Sequence, residues 1–287
     1  MRSFLLRFSL MALIILGSLV SVSPTPTMAE TPSIVLPEAC ALNDVEPTEP
    51  DHWLAVWNFD GAQGCIMYTG AQPDPQVPPP IVDYDLIDCT NVGGVEFTNG
   101  YAIFNGSSYL TCTLAVDPNN PAEEYANYDN FWMYAQVALT PMPSRNPIFY
   151  HPSATLSAPI QDTVLQSKLS WTFRHADQTN SSGSTPGFFP SYNDHLRIAS
   201  CYELNPLCVD HPTTTYAQVP RINGVNQPLH PASSAVRFQK TAPIYIGYSP
   251  RTRSYFQGKM GMLLLDPPGY GKDPTPDALP EPVPAPQ

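Results

Sequence analysis

Positive charge is scarce in this sequence. Its 287 residues hold 13 Lys and Arg against 25 Asp and Glu, for a formal net charge of -12. Nucleic acids and anionic membrane surfaces are held by clustered Lys and Arg, so neither is an expected partner. Charge of either sign is also sparse, at 13% of residues, a surface suited to neutral polar partners. No apolar run reaches the ~20 residues that a membrane-spanning helix needs. Sustained helical periodicity is missing too. There is no GxSxG nucleophile elbow, no HExxH and no Gly-rich phosphate loop, which removes the common hydrolase and nucleotide-binding signatures. No CxxC pair is present, which argues against structural zinc. The histidines, His52, His151, His175, His195, His211 and His230, are scattered and never fall at a metal spacing.

What is present begins with an export signal. Arg2 and Arg7 precede an apolar run from Phe8 to Val22, with small residues before Glu30. This pattern predicts a signal peptide over 1–29, cut after Ala29, and hence a secreted, extracellular protein. Proline, 35 residues in all, crowds both ends. Residues 30–50 read as a Pro-rich arm and 267–287 as a Pro-rich disordered tail, since neither carries hydrophobic periodicity. Residues 51–266 between them show no break in composition and are read as one domain. Cys40, Cys65, Cys89, Cys112, Cys201 and Cys208 form an even set, which in an exported chain implies disulfides. Six cysteines permit 15 pairings. The sequential choice is Cys40 with Cys65, Cys89 with Cys112 around one hairpin, and Cys201 with Cys208.

The middle of the chain has the period-two alternation of strands with one buried face. In FWMYAQVAL, Phe131, Met133, Ala135, Val137 and Leu139 share a face; in KLSWTFRH, Leu169, Trp171 and Phe173 do. YLTCTLAV (109–116) and HLRIASCYEL (195–204) alternate as well. HWLAVWNF (52–59) is apolar on both faces, as expected for a strand covered on both sides or lying under the N-terminal arm. FDG at 59–61, TNG at 98–100, FNG at 104–106 and ING at 222–224 supply the positive φ of tight hairpins. Many short strands with such turns indicate an all-β, two-sheet antiparallel β-sandwich.

The stretch IYIG, a polar loop, then FQGKMGMLLLD (244–266) resembles the closing strands of the concanavalin A-like lectin/glucanase superfamily, particularly its laminin G-like branch. HWLAVWNFDG resembles that group's first strand, GVEFTNGYAIFNGSSYL its second hairpin and FWMYAQVAL its next long strand. The resemblance implies a jelly roll whose concave face or loop rim binds sugars. Its β-glucan-cleaving members carry a glutamate pair in an ExDxxE strand, and this chain has none. The nearest match is DYDLID, where Asp83, Asp85 and Asp88 hold the spacing with shorter side chains. Those aspartates, or Asp60 in the FDG turn, are instead candidates for calcium, a hard cation that takes carboxylate oxygens from loops. Glu123 and Glu124 are adjacent, so an extended backbone points them to opposite faces.

Sugar sites combine planar aromatics with hydrogen-bonding neighbours. Trp53, Trp57, Trp132 and Trp171 all fall inside strands and are expected in the core. Two loops supply the candidates instead. Residues 181–195 carry Phe188, Phe189, Tyr192, Asn193 and Asp194, and 248–256 carry Tyr248, Arg251, Arg253 and Tyr255. The leading expectation is a secreted, non-catalytic jelly-roll module that binds carbohydrate or another extracellular surface component. The alternatives are a glycoside hydrolase or lyase of the same fold, and a structural or adhesive protein-binding module.

Overall fold

The computed structural model describes residues 53–69, 82–114, 124–140, 146–161, 166–202 and 216–266, all within one compact unit, Leu36–Gln287. The expected signal peptide, Pro-rich arm and tail, and the cysteines Cys40 and Cys208, lie outside the described residues. Two antiparallel sheets make up a β-sandwich, and none of the described residues is helical.

The larger sheet has 11 strands. They are β1 (Trp53–Trp57), β2 (Gly64–Thr69), β3 (Val82–Ile87), β5 (Glu96–Thr98), β6 (Tyr101–Asn105), β9 (Phe131–Leu139), β16 (Asp194–Cys201), β17 (Ala217–Ile222), β18 (Val225–Asn226), β19 (His230–Pro231) and β24 (Gln257–Asp266). Along its main path the order is β18-β17-β16-β9-β24-β1-β2-β3. The smaller sheet has seven: β4 (Cys89–Val92), β7 (Tyr109–Cys112), β10 (Pro147–His151), β11 (Ala154–Ser157), β14 (Ser170–Arg174), β15 (Asn180–Ser184) and β21 (Ile244–Ile246). Its order is β15-β14-β11-β10-β21-β7-β4. Three short pairs complete the fold: β8 (Tyr125–Tyr128) with β20 (Val236–Gln239), β12 (Ile160–Gln161) with β13 (Gln166–Ser167), and β22 (Tyr248–Ser249) with β23 (Ser254–Tyr255).

The core lies between the sheets. Trp53, Ala55 and Trp57 of β1 and the odd-numbered residues of β9 from Phe131 to Leu139 meet Phe149, Leu156, Trp171 and Phe173 of the smaller sheet. Both predicted inward sets, on β9 and β14, face this interior. β14 alternates between buried and half-buried positions as its sequence does. β9 and β16 do not. They were expected to have one buried face, yet nearly every residue of each is buried. The reason is a second apolar cluster on the outer side of the larger sheet, formed by Leu54, Val56, Met67, Trp132, Tyr134, Ala199, Val219, Met262 and Leu264. The same cluster accounts for β1, whose two apolar faces are both buried as its sequence implies.

Of the four turn signals, two form tight hairpins with positive φ at both central residues. Asn99-Gly100 joins β5 to β6, and Asn223-Gly224 joins β17 to β18. The other two do not. At FDG the positive φ falls on Phe59, inside a longer loop, and at FNG on Gly106 alone, where Asn105 Oδ1 accepts the Ser107 N–H at 2.9 Å. The Asn-Gly rule for two-residue hairpins therefore applies where regular pairing flanks the dipeptide directly on both sides.

A disulfide joins Cys89 to Cys112. It is not the staple of a single hairpin: β4 and β7 pair directly through these residues, and the β5–β6 hairpin between them belongs to the other sheet. Cys65 and Cys201 are disulfide-bonded too. A buried polar chain links the sheets elsewhere. The Trp171 indole N–H of the smaller sheet donates to Gln218 Oε1 of the larger at 2.7 Å, and Gln218 Nε2 donates to Ser181 Oγ, which also contacts His175 Nε2. The other ring nitrogen of His175 meets the Ser234 carbonyl at 2.7 Å. This serine–histidine contact has its hydrogen-bonding capacity used within the fold.

Candidate functional site

The outer face of the smaller sheet is built differently from that of the larger. In β7, β10, β11, β14 and β21 the inward positions are apolar but for His151, and one cross-strand row of outward positions is Thr111, Tyr245, Tyr150, Thr155 and Thr172, with Arg174 further along β14. Strand alternation alone puts this row of tyrosine and hydroxyl side chains on one surface. Tyr150 on β10 and Tyr245 on β21 stand side by side in the register, with ring centroids 6.1 Å apart.

The β22–β23 hairpin then folds onto that surface. It leaves β21 at Gly247 and returns at Phe256, whose N–H donates to the Gly247 carbonyl at 2.8 Å; the Gly247 N–H donates to Ile148 at 3.0 Å. This double clasp fixes the hairpin to β10. Tyr248 and Tyr255 are directly paired across it, with centroids 4.7 Å apart. Tyr248 stacks on Tyr109 of β7, also at 4.7 Å, with the planes 28° apart. Tyr245 lies 5.9 Å from Tyr248 and 6.2 Å from Tyr109. Tyr109, Tyr150, Tyr245, Tyr248 and Tyr255 thus make one continuous half-exposed aromatic cluster. Among the described residues none of the five phenol hydroxyls has a hydrogen-bond partner.

Beside the cluster runs a cleft of about 310 Å³. Its floor is the sheet, with Tyr150, Thr155, Ser157 and Thr172; its wall is the hairpin, with Ser249, Arg251, Thr252 and Ser254. Thr172 Oγ1 contacts Ser182 Oγ at 2.9 Å and Thr252 Oγ1 contacts Ser254 Oγ at 2.7 Å, so part of the hydroxyl array is pre-oriented. Among the described residues Arg251 is the one charged residue in the lining, and no Asp or Glu joins it. Arg253 follows in the same loop with φ of 52°, exposed like Arg251. Neither guanidinium has an ion pair or hydrogen bond among the described residues.

Tyr248, Arg251, Arg253 and Tyr255 therefore come together as one loop. Tyr109, Tyr150 and Tyr245 complete the surface and were not singled out from the sequence. The signal that could have found them is the outward tyrosine in three strands whose alternate residues are apolar.

The other aromatic loop is divided in its roles. Phe188 packs against the core, and its backbone pairs with Ser167 through two 2.8 Å bonds. Asp194 is fully buried and accepts from Ser191 N (2.7 Å), Ser191 Oγ (2.8 Å) and Asn223 Nδ2 (3.0 Å). Asn193 Oδ1 accepts from Gln136 Nε2 at 2.7 Å. These three side chains hold the loop, while Phe189, 70% exposed, and Tyr192, 88% exposed, project from it. His195 Nδ1 lies 2.5 Å from the Tyr134 hydroxyl, and burial lowers the His195 pKa.

Of the expected calcium ligands, Asp60, Asp85 and Asp88 are exposed, and Asp88 Oδ1 accepts from Gln63 Nε2 at 3.0 Å. The side chain of Asp83 lies outside the described residues. Among the described residues no three His, Cys, Asp or Glu side chains converge to hold a metal. The strand bearing DYDLID pairs with β2 in unbroken register from Gly64–Ile87 to Thr69–Val82, without the bulge that would bring positions 83 and 88, five residues apart, onto one face.

No protein-family model matches the chain, and no curated protein matches it. Among solved structures it is similar to domain 4 of AbnA, a GH43 extracellular arabinanase from Geobacillus stearothermophilus in complex with arabinotriose: TM-score 0.41, 15% identity, covering 62% of this chain and 82% of that one. It is also similar to the carbohydrate recognition domain of Emp47p, with TM-score 0.35, 8% identity and coverage of 62% and 88%. The botulinum neurotoxin serotype G binding domain matches at TM-score 0.39 and 10% identity over 76% of this chain, which spans 47% of that domain's length. Likenesses of this strength carry no argument about ligand or activity.

Proposed function

We propose that this protein is a secreted carbohydrate-binding module whose ligand lies across the tyrosine surface and in the adjoining cleft. One observation carries the reading: five half-exposed tyrosines, ordered by mutual ring contacts, adjoin through Tyr150 a cleft lined in part by threonine and serine hydroxyls. Saccharide rings have flat C–H faces that pack on aromatic planes, and hydroxyls that pair with side-chain hydroxyls and guanidinium groups. The cleft volume is within the range of small-molecule sites. A surface mounted on strands and on a clasped hairpin is also pre-organised, which lowers the ordering cost of binding.

Among the described residues the lining has no pair of carboxyls, the residues that glycoside hydrolysis uses. Binding without cleavage is accordingly the reading favoured over a hydrolase or lyase. Calcium remains a proposal for the exposed aspartates, separate from this cleft.

The test is a glycan-array screen of the full chain, with calcium and with chelator, followed by calorimetric titration of Tyr248→Ala. Tyr248 touches Tyr109, Tyr245 and Tyr255, so its removal opens the middle of the cluster. Stacking of this kind is worth ~1–1.5 kcal/mol, and the expected loss of affinity is about ten-fold. Glycan binding with unchanged affinity in Tyr248→Ala would place the site elsewhere, with Phe189 and Tyr192 next to be changed.

A further inference from the structure

Building on the carbohydrate reading, we infer that the preferred ligand is an acidic saccharide whose carboxylate or sulfate ester pairs with Arg251. The argument is one of local charge. Acidic residues outnumber basic ones by 25 to 13 in the chain, yet among the described residues the cleft lining contains a single charged group, an arginine, and no carboxylate to neutralise it. A second arginine, Arg253, stands two residues on in the same four-residue loop and is also without a partner among the described residues. Guanidinium presents paired N–H donors in a rigid fork that matches the two oxygens of a carboxylate or sulfate.

Position adds to the charge argument. Arg251 sits on the hairpin wall opposite Tyr150, Thr155 and Thr172 on the sheet floor, so a sugar packed against the aromatic surface presents an oxyanion toward it. A neutral sugar would engage the tyrosines and hydroxyls equally well but leave the arginine without its best acceptor. The rest of this acidic protein repels an anionic glycan, so the two arginines also fix which part of the surface such a ligand can approach. Over ~8 Å at physiological ionic strength that selection fades, making the preference strongest for groups in direct contact.

The experiment titrates the full chain with matched pairs of oligosaccharides: oligogalacturonate and its methyl ester, sialyllactose and lactose, sulfated and desulfated galactan. Within at least one pair the acidic member should bind about ten-fold more tightly at ~0.15 M salt. Arg251→Gln should reduce that preference to within about two-fold, the acidic member losing more affinity than its neutral partner. Carboxylate and sulfate pairs report separately, so the same data identify which oxyanion is recognised. Because Arg251 is exposed and has no hydrogen bond or ion pair among the described residues, the variant's unfolding midpoint should match the parent's, a control for structural damage. Equal binding of acidic and neutral members, or a preference that persists in Arg251→Gln, overturns the inference and leaves the carbohydrate reading standing. Failure of every pair to bind removes both.

Discussion

Gly247→Ala tests how the β22–β23 hairpin is mounted. Gly247 has φ of 80°, and a methyl group added there would meet the Phe104 ring at 2.5 Å. Two separable costs follow. Left-handed backbone at a residue with a Cβ costs ~1–2 kcal/mol. Driving a methyl into a packed ring costs ~1–3 kcal/mol, because the ring has nowhere to go: Phe104 is buried and held edge-on by Phe256 at 5.5 Å. The expected loss is therefore about 2–5 kcal/mol. With a urea m-value of roughly 3 kcal/mol/M, the unfolding midpoint falls by about 1 M. Repeating the substitution in a Phe104→Leu background separates the two costs. Leucine vacates the space that the methyl needs, so the clash is relieved but the backbone strain is not, and a coupling of ~1–3 kcal/mol should appear in the double-mutant cycle. A loss below ~1 kcal/mol in the single variant would refute the strain argument. Equal losses in both backgrounds would refute the clash.

Two further outcomes concern what holds the sandwich together. Burial pulls the His151 pKa from 6.5 down to about 3, so between these values the unfolded chain binds a proton that the folded one does not. Stability should then fall as pH drops below 6.5, by up to ~1.4 kcal/mol per pH unit. His151→Gln should remove that component of the slope, and parallel urea-stability profiles for the two proteins between pH 7 and 4.5 would contradict it. Replacing both Cys89 and Cys112 by alanine opens a loop with sequence separation 23 and should cost ~3 kcal/mol, read as a lowered midpoint in calorimetry or denaturant. A midpoint within error of the parent would mean that the β4–β7 ladder holds these ends without the bond.

The sandwich was legible because strand alternation is a local signal. Leu169, Trp171 and Phe173 point inward as their spacing requires, and Asn99-Gly100 turns as Asn-Gly should. What alternation cannot report is a second cover. Trp132 and Tyr134 fall between the inward residues of β9, and their burial depends on the apolar cluster over the larger sheet, to which β1, β2, β16, β17 and β24 also contribute. The site was half legible for a similar reason. Tyr248, Arg251, Arg253 and Tyr255 are neighbours in sequence, and a Gly-bounded polar loop marks them. Tyr109, Tyr150 and Tyr245 come from three strands whose adjacency depends on the order β10-β21-β7, a non-local fact absent from any one segment. Asp194 shows the converse error. As an aspartate in a Gly/Ser/Pro-rich loop it resembles a ligand contact, but three donors from Ser191 and Asn223 make it the anchor of that loop.

The contrast between the two outer faces bears directly on where a ligand can bind. On the larger sheet the outward positions are Leu54, Val56, Met67, Val219 and Leu264, all buried, and their apolar area stabilises the fold. On the smaller sheet the outward row across β7, β21, β10, β11 and β14 is tyrosine and threonine, half-exposed, flanked by Ser157, Ser170 and Arg174. Tyrosine gains little as an outward residue if it serves only solubility, for which Lys or Glu would serve better, and five of them in ring contact form an apolar surface that water covers poorly. Each also keeps a hydroxyl at its tip, so the surface can exchange water for a polar partner at low desolvation cost. A face with those two properties suits a ligand that is itself apolar on its flat sides and hydroxylated at its edges. That combination is why the smaller sheet, rather than the exposed loop carrying Phe189 and Tyr192, is the first place to look for the sugar.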